Sequence, residues 1–223
     1  MKLRHELKHE IDYADLLALR MRLGAVLQPD PHAKEGKYHI RSLYFDDLLD
    51  TALREKQSGI SRREKFRIRY YDGDTSRLHL EKKIKQGGMG CKLSAPLTAA
   101  EGASIVRGEI DWMTSDARPT VQELGCRMQT QGLRPRTIVD YTREPFIYGP
   151  GNVRVTLDYD IRTGLRHTDF LDPTCVTVPV GVGLIILEVK WDAYLPDIVR
   201  DLIQLPARRT GAYSKYAACR IYG

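Results

Sequence analysis

The sequence lacks the cysteine patterns that hold small metal-bound or cross-linked folds together. Its 223 residues contain four cysteines without a CxxC pair, and these are Cys91, Cys126, Cys175 and Cys219. A zinc ribbon and a disulfide framework are therefore not indicated. Cysteines of this kind are typical of reduced thiols, so we expect a cytoplasmic protein.

Long apolar runs and a secretory leader are also missing. No stretch approaches the roughly 18 consecutive apolar residues that a membrane-spanning helix needs. The first ten residues, MKLRHELKHE, are charged throughout and do not have the character of a signal peptide. We therefore expect a soluble protein without a membrane-spanning segment.

Familiar catalytic motifs are absent or occur in the wrong setting. No Gly-x-Ser-x-Gly element is present. Residues 5–9 (HELKH) match the HExxH pattern of zinc peptidases, but that motif works on a helix and the alternation here favours a strand. Residues 87–94 (GGMGCKLS) are glycine-rich but fail the GxxxxGK[ST] pattern of a P-loop. Neither a zinc peptidase nor a P-loop protein is therefore favoured.

The length and charge suit a single domain that binds anions. We predict one domain over residues 1–223, because this length is sufficient for one hydrophobic core. Lys and Arg number 35 against 29 Asp and Glu, which gives a net charge of +6. Such an excess favours anionic partners without choosing among nucleic acid, nucleotide, polyphosphate and a membrane surface.

The strongest pattern in the chain is an alternation of charged and apolar residues. In residues 61–71 (SRREKFRIRYY), Arg63, Lys65, Arg67 and Arg69 share one parity and apolar residues share the other. Successive side chains of a strand point to opposite faces, so the segment predicts a strand with one cationic face. Four further segments show a similar alternation, and these are 2–11, 78–85, 152–160 and 185–192.

Five two-faced strands can be arranged in two ways. They can form an open sheet with one wet face, on which the charges would be exposed ion pairs of little energetic value. They can also close into a barrel, which removes exposed edges and encloses the charged faces. Confined charge is costly unless a polyanion or metal completes it, so the barrel predicts a ligand with many negative charges.

The residue types on these faces suit phosphate chemistry. Arginine contacts phosphate oxygens through a fork-shaped guanidinium, and lysine supplies a movable positive charge. Phosphoryl transfer depends mainly on positioning and charge neutralisation, with a divalent metal that bridges phosphates. Glu188, close to Lys190, is a carboxylate among cations and suits Mg²⁺ or Mn²⁺.

Helix and turn signals place further elements between the strands. Asp12 is a predicted N-cap of a helix that stops at Gly24, and residues 86–90 (QGGMG) are predicted to be a flexible connection. A terminal helix is predicted over residues 211–223. Strands with scattered short helices indicate an α+β fold with a mainly antiparallel sheet.

Eight short motifs occur in an order that resembles a known family. They are RHELK (4–8), SLYFDD (42–47), KFRIRYY (65–71), LEKKIK (80–85), VDYTREPF (139–146), VRVTLD (153–158), LEVK (187–190) and AYSKY (212–216). Together they resemble the VTC domain, the polyphosphate polymerase branch of the triphosphate tunnel metalloenzymes (the CYTH superfamily). The resemblance covers almost the whole chain and implies a closed tunnel of about eight antiparallel strands with helices packed outside.

The resemblance also implies an activity and a set of site residues. Family members are phosphotransferases that add the γ-phosphate of ATP to inorganic polyphosphate and release ADP, with Mn²⁺ or Mg²⁺ as cofactor. Tyr141 and Ser214 would bind substrate through hydrogen bonds, and Glu188 would hold the metal. Parity favours Lys83 over the adjacent Lys82. The implied catalytic cations are Lys8, Arg67, Arg69, Lys83, Lys92, Arg143, Arg154, Lys190 and Lys215.

Two departures from the family pattern bear on function. The wider superfamily opens with Glu-x-Glu-x-Lys, whereas Arg4 stands here in place of the first Glu, which favours the polymerase over a two-metal hydrolase. The SPX regulatory domain of eukaryotic relatives is not expected here, so their regulation does not transfer. A triphosphatase that uses the same tunnel and a non-enzymatic module that binds polyphosphate or RNA are the alternatives.

Overall fold

The computed structural model describes residues 3–205, 211 and 213–221, and these contain ten strands in one sheet. The strands are β1 (His5–Ile11), β2 (Gln28–Pro29), β3 (Tyr38–Asp46), β4 (Arg63–Tyr71), β5 (Leu78–Gln86), β6 (Met89–Leu97), β7 (Arg134–Tyr148), β8 (Val153–Thr163), β9 (Val178–Pro179) and β10 (Ile185–Trp191). The α-helices are α1 (Tyr13–Val26), α2 (Thr51–Gln57), α3 (Ala99–Arg107), α4 (Pro119–Gln131), α5 (Asp197–Leu202) and α6 (Lys215–Cys219). Short 3-10 helices cover Asp111–Ser115 and Pro150–Asn152.

Eight strands form a continuous antiparallel path in the order β1-β10-β8-β7-β3-β4-β5-β6, while β2 and β9 are short additions to β7 and β8. The sheet curls until its edge strands meet, where Arg4 and Gly90 exchange backbone hydrogen bonds of 2.9 and 3.0 Å. This confirms the predicted α+β fold, an antiparallel tunnel with helices α1, α3, α4 and α5 packed outside.

Closure of the tunnel is less complete than predicted. Within the described residues, the edges β1 and β6 are joined by the bridge between Arg4 and Gly90 and not by a ladder. The overlap is short because β6 begins at Met89, one residue before the bridge. Farther along β1, the backbone N–H of Gly211 donates to the carbonyl oxygen of Lys8 at 2.9 Å. The C-terminal segment therefore takes up part of the edge that β6 does not reach.

The strands carry their apolar sides outward against the helices. Ile68 of β4 is buried in a cluster with Leu124 of α4. Farther along the same outer face, Leu187 of β10 packs in a cluster with Leu19 of α1. Charged residues of these strands have the opposite parity, so they face the interior of the curl.

α6 packs inside the curled sheet. Cys219 is buried with Ile40 and Tyr141 in a third apolar cluster, whose strand residues point inward. Tyr216 stacks on Tyr44 with ring centroids 5.1 Å apart. The C-terminal helix therefore fills part of the interior and narrows the space that the charged residues line.

Three local predictions require correction. The first concerns Gly24, which lies inside α1 and does not end it. Asp12 caps this helix as predicted, in a reciprocal arrangement with Asp15. The helix continues past Gly24 because Leu23 is fully buried, and it ends before Pro29, which disfavours helical backbone at the residue that precedes it.

The second correction concerns residues 86–90, which are not a flexible connection. Gly87 and Gly88 have φ values of +56° and +81° and link β5 to β6 directly. Two successive residues with positive φ form the tight turn that matches the twist of a β-hairpin. Gly90 already belongs to β6, where it makes the bridge to Arg4.

The third correction concerns the C-terminal helix, which is shorter than predicted. It covers Lys215–Cys219, and Ser214 has extended backbone and accepts a hydrogen bond from the N–H of Ala217 as its N-cap. A residue in the N-cap position begins a helix and does not continue one. Residues 212, 222 and 223 of the predicted helix lie outside the described residues.

In the part of the chain that the structure describes, no helix is both long enough and apolar enough to span a bilayer.

Candidate functional site

Register between β4 and β5 brings the inward-facing charges into rows. Arg67 lies opposite Glu81, and Lys65 lies opposite Lys83. β6 extends the second row, because Lys92 pairs with Lys83. Side chains opposite each other on one face of an antiparallel pair are about 5 Å apart at their Cβ atoms. Alternation along each strand thus becomes a dense charged surface across the sheet.

Glu81 is the centre of the first ion cluster. Arg67 donates to its Oε2 through Nε and Nη2 at 2.9 and 2.8 Å, and Arg69 and Lys92 each lie 2.7 Å from its Oε1. Burial alone would raise the pKa of this carboxyl, but the three cations hold it well below its usual value. Glu81 therefore remains ionised and fixes three of the predicted catalytic cations in place.

Glu6 is the centre of the second cluster. Its carboxylate lies 3.0 Å from Lys83 Nζ, 2.7 Å from Lys85 Nζ and 3.4 Å from Lys8 Nζ. Burial opposes ionisation, yet the lysines, Lys83 foremost, lower the pKa of Glu6 to about 2. Lys190 Nζ also lies 3.9 Å from Glu6, so four ammonium groups share one carboxylate.

Lys83 has a pKa that is lowered toward neutral pH. Burial and the nearby charge of Lys8 lower its pKa to about 7, and the opposing attraction of Glu6 does not compensate. A lysine with this pKa changes its charge state near neutral pH. An anion that arrives beside it would favour the charged form.

Glu188 and Asp158 form the third and fourth centres. Lys190 Nζ lies 2.5 Å from Glu188, and Arg143 contacts the same carboxylate at 3.3 Å. Arg143 also grips Asp158 with two hydrogen bonds of 2.6 and 2.7 Å, and Lys215 of α6 lies 2.5 Å from Asp158. Burial alone would raise the pKa of both carboxyls, but these cations outweigh burial and lower both pKa values.

Tyr141 lies beneath this group of ions. Lys215 Nζ and the Arg143 guanidinium stand 4.7 and 5.4 Å from the centre of its ring, at cation–π distance. Burial opposes ionisation of the hydroxyl, but Arg143 and Arg67 lower its pKa. The predicted substrate-binding tyrosine therefore supports two cations with its ring.

Two predicted residues are placed apart from these clusters. Arg154 donates to Asp30 at 2.6 Å and to the hydroxyl of Tyr38 at 2.5 Å, although its backbone lies opposite Lys190. The hydroxyl of Ser214 accepts the N-cap hydrogen bond of α6. Eight of the nine predicted cations thus contact one of four buried carboxylates, and Arg154 contacts Asp30.

Several residues of the interior were missing from the predicted site. Glu6, Glu81 and Asp158 anchor the cations, while Lys65 lies over the ring of Tyr216 at 4.7 Å. Strand parity was the signal that could have identified them, since each shares the parity of a predicted cation. The aromatic partner of Lys65 could not be seen this way, because it comes from α6.

Lys82 and the HELKH segment have structural roles. Lys82 faces outward and pairs with Glu64 at 3.0 Å and Glu123 at 2.6 Å, as the parity argument predicted. β1 is a strand, and His5 stacks on Trp191 with ring centroids 5.3 Å apart. The helical arrangement that a zinc peptidase requires is therefore not formed.

The carboxylates of the tunnel suit a hard divalent cation whose remaining ligands come from water and substrate. The Glu6 and Glu188 carboxylates are neighbours, because Lys190 Nζ lies 2.5 Å from Glu188 and 3.9 Å from Glu6. Among the described residues, no group of three or more His, Cys, Asp or Glu could hold a metal. Mg²⁺ is commonly held by one or two carboxylates together with water and phosphate oxygens. This carboxylate pair fits such a site and does not fit a closed, all-protein one.

A sequence profile for the family described as VTC domain matches residues 3–221. Comparison with curated proteins finds no match. Among solved structures, the putative adenylyl cyclase HpAC1 from Hippeastrum, described with a dominant triphosphatase activity, has a TM-score of 0.55 and 13% identity, over 98% of this chain and 95% of that one. PH1819 protein from Pyrococcus horikoshii OT3 has a TM-score of 0.50 and 14% identity, over 96% and 94%.

Proposed function

This chain belongs to the VTC domain family, and on that basis we propose that it is a metal-dependent polyphosphate polymerase. ATP would donate its γ-phosphate to the end of an inorganic polyphosphate chain, and ADP would leave. The observation that carries the proposal is the excess of cations over carboxylates in the tunnel. Nine cations contact four carboxylates there. The carboxylates are Glu6, Glu81, Asp158 and Glu188, and the cations are Lys8, Lys83, Lys85, Lys190, Arg67, Arg69, Lys92, Arg143 and Lys215.

The excess positive charge favours a polyanion over a neutral substrate. Fixed cations stabilise the charge on a transferring phosphoryl group without having to reorganise during the reaction. Arg67 and Arg143 are held by paired hydrogen bonds to Glu81 and Asp158, so their guanidinium groups are already oriented. The acceptor is an ionised phosphate end, so the reaction needs no general base.

Glu188, with Glu6 beside it, would hold the divalent cation. When bound, such an ion would supply Lewis-acid charge that stabilises the negative charge of the phosphates. Lys190 and Lys83, which contact Glu188 and Glu6, would bind phosphate oxygens. We expect chelation with EDTA to abolish turnover and added Mn²⁺ to restore it, measured as ADP release.

A triphosphatase is the second candidate, and the likeness to HpAC1 favours it. Arg4 argues for the polymerase, because it lies 2.9 Å from Asp192 and places a cation where the wider superfamily has a carboxylate. Fewer carboxylates at the mouth leave fewer ligands for a second metal that could activate water.

The products formed from ATP distinguish the candidates. Purified protein is incubated with ATP and Mn²⁺, and the mixture is separated by size and assayed for phosphate. A polymerase leaves ADP and a long polyanion, whereas a hydrolase leaves free phosphate and no polymer. A binding module predicts no turnover, salt-sensitive polyanion binding and no effect of Glu188→Gln. The polymerase proposal fails if no polymer appears while phosphate accumulates.

A further inference from the structure

A second basic cavity lies outside the tunnel clusters. Its volume is about 400 Å³, and it is formed where β7 begins, β8 ends and α6 ends. None of its lining residues belongs to the predicted tunnel site. These residues are Asp50, Pro135, Arg136, Arg166 and Arg220.

One carboxylate and three guanidinium groups line this cavity. Asp50 Oδ1 lies 2.7 Å from Arg136 Nη2, and its Oδ2 lies 2.9 Å from Arg220 Nη2. Asp50 occupies the N-cap position of α2 in left-handed backbone, and its side chain does not cap the helix. Its carboxylate is instead held by the two arginines. The cavity therefore carries a net positive charge even with Asp50 ionised.

Donor capacity in the cavity is not fully used. The Nε of Arg136 is buried without an acceptor. Arg166 is exposed and forms no ion pair with another described residue. A buried donor without a partner costs about 1–3 kcal/mol relative to a satisfied one, so an acceptor that reaches Arg136 would be favoured.

We infer that Arg136, Arg166 and Arg220 form a second anion site, which binds a phosphate group. Guanidinium forks match phosphate oxygens two at a time, and a terminal phosphate offers three oxygens to several forks at once. The volume suits a small anion or the end of a chain. Phosphate, an inorganic phosphate chain and a nucleotide share this chemistry, and the experiment below separates them.

α6 connects this cavity to the tunnel. Arg220 follows the last residue of α6, whose first residue is Lys215 of the Asp158 cluster. The hydroxyl of Tyr216 donates to Asp46 at 2.6 Å, at the end of β3. The second site therefore shares an element with the tunnel, but its existence does not depend on which reaction the tunnel performs.

Calorimetric titration of the full chain with tripolyphosphate, without divalent metal, tests the site. We expect two classes of binding site. The tunnel variant Lys83→Ala/Arg154→Ala should weaken tripolyphosphate binding at the tunnel and leave binding at the second anion site unchanged. Arg166→Gln should weaken binding at the second anion site about tenfold, the loss expected for one charge-assisted contact of about 1.4 kcal/mol. Orthophosphate and ATP in parallel titrations show which phosphate source it prefers.

Asp50→Asn supplies a readout of opposite sign. Removal of the competing carboxylate should tighten binding at the second site, whereas damage to the fold would weaken it. Arg107→Gln is the charge-matched control, because Arg107 pairs with Glu109 on the surface of α3. A single class of sites in the unmodified protein would overturn the inference, and so would equal affinities for Arg166→Gln and Arg107→Gln. Neither result depends on polymer synthesis, so this inference and the proposed function fail separately.

Discussion

Lys82 and Lys83 are adjacent residues of β5 whose side chains lie on opposite faces of the sheet. Lys83 contacts Glu6 inside the tunnel, and Lys82 contacts Glu64 and Glu123 outside. The two residues have the same chemistry and nearly the same sequence position. Their different surroundings make them a matched pair for testing whether the interior is the functional face.

We expect Lys83→Ala to lower polymer synthesis about 10²–10³-fold, as the loss of one fixed charge stabiliser often does. Arg154→Ala should have a comparable effect if its guanidinium leaves Asp30 for substrate. Lys82→Ala should lower the thermal midpoint, since it leaves two outer carboxylates without their lysine, but turnover per folded molecule should be retained. Near-normal turnover in Lys83→Ala would remove that residue from the site.

Proton uptake on ligand binding is a second expectation for Lys83. Its pKa of about 7 means that in the unliganded protein the side chain is mostly a neutral amine at pH 8. A bound phosphate chain favours the charged ammonium and so raises this pKa. The unmodified protein should therefore take up close to one more proton than Lys83→Arg when it binds tripolyphosphate at pH 8. Calorimetry in buffers of different ionisation enthalpy measures this difference.

The ligand's own titration is the same for both proteins, so it cancels in the comparison. Above pH 7 the affinity of the unmodified protein should fall more steeply with pH than that of Lys83→Arg. Parallel pH profiles for the two proteins would contradict the assignment.

At the scale of elements, the β5–β6 hairpin determines where Lys92 lies. Gly87 and Gly88 form its two-residue turn, and register from this turn places Lys92 opposite Lys83 and the bridge residue Gly90 opposite Lys85. A shift of one residue would turn every side chain of β6 to the other face. The hairpin therefore controls both the cation row and the meeting of the sheet edges.

Gly88→Ala should lower the free energy of unfolding by about 1 kcal/mol, because an L-residue in left-handed backbone costs about 1–2 kcal/mol. Gly87→Asn is the matched control, since Asn-Gly is a preferred sequence for such turns and should be tolerated. Urea denaturation measures both variants. Equal stability of Gly88→Ala and the unmodified protein would show that the turn differs from the one described.

Sequence patterns predicted the strands well and the contacts between distant strands poorly. Period-two alternation was sufficient to assign inward faces to Arg67 and Lys83, because side-chain direction is a local property of a strand. Which carboxylate each cation meets depends on register between strands far apart in the chain, as for Glu6 of β1 beside Lys83 of β5. α6 has only five residues and too little periodicity to reveal that it packs inside the sheet.

At the scale of the whole molecule, the buried ion pairs of the tunnel make the folding stability of the protein depend on pH. The folded-state pKa of Glu6 is about 2, below its usual 4.5. A lowered carboxyl pKa contributes stability that is fully present above the unfolded pKa and is lost as the pH falls through the folded one. The window for this loss therefore runs from about pH 4.5 down to about pH 2.

Glu6→Gln should unfold at a lower temperature than the unmodified protein at pH 7, because Lys8, Lys83 and Lys85 lose their shared anion. The difference should shrink across the acid window, since the unmodified carboxyl is then protonated as well. Thermal midpoints between pH 2 and pH 7 measure it. Glu109→Gln, at an exposed surface pair, should show little difference at any pH, and a pH-independent gap for Glu6→Gln would contradict the assignment.

The bridge between Arg4 and Gly90 has a mechanical consequence for the molecule. Neighbouring strands elsewhere along the main path are fastened by ladders of several residue pairs, whereas these edges share one pair in the described part of the chain. Separation of these two edges would therefore widen the tunnel with the loss of few backbone hydrogen bonds. A bound polymer longer than the tunnel could then leave sideways between β1 and β6, while the other strand pairs remain intact.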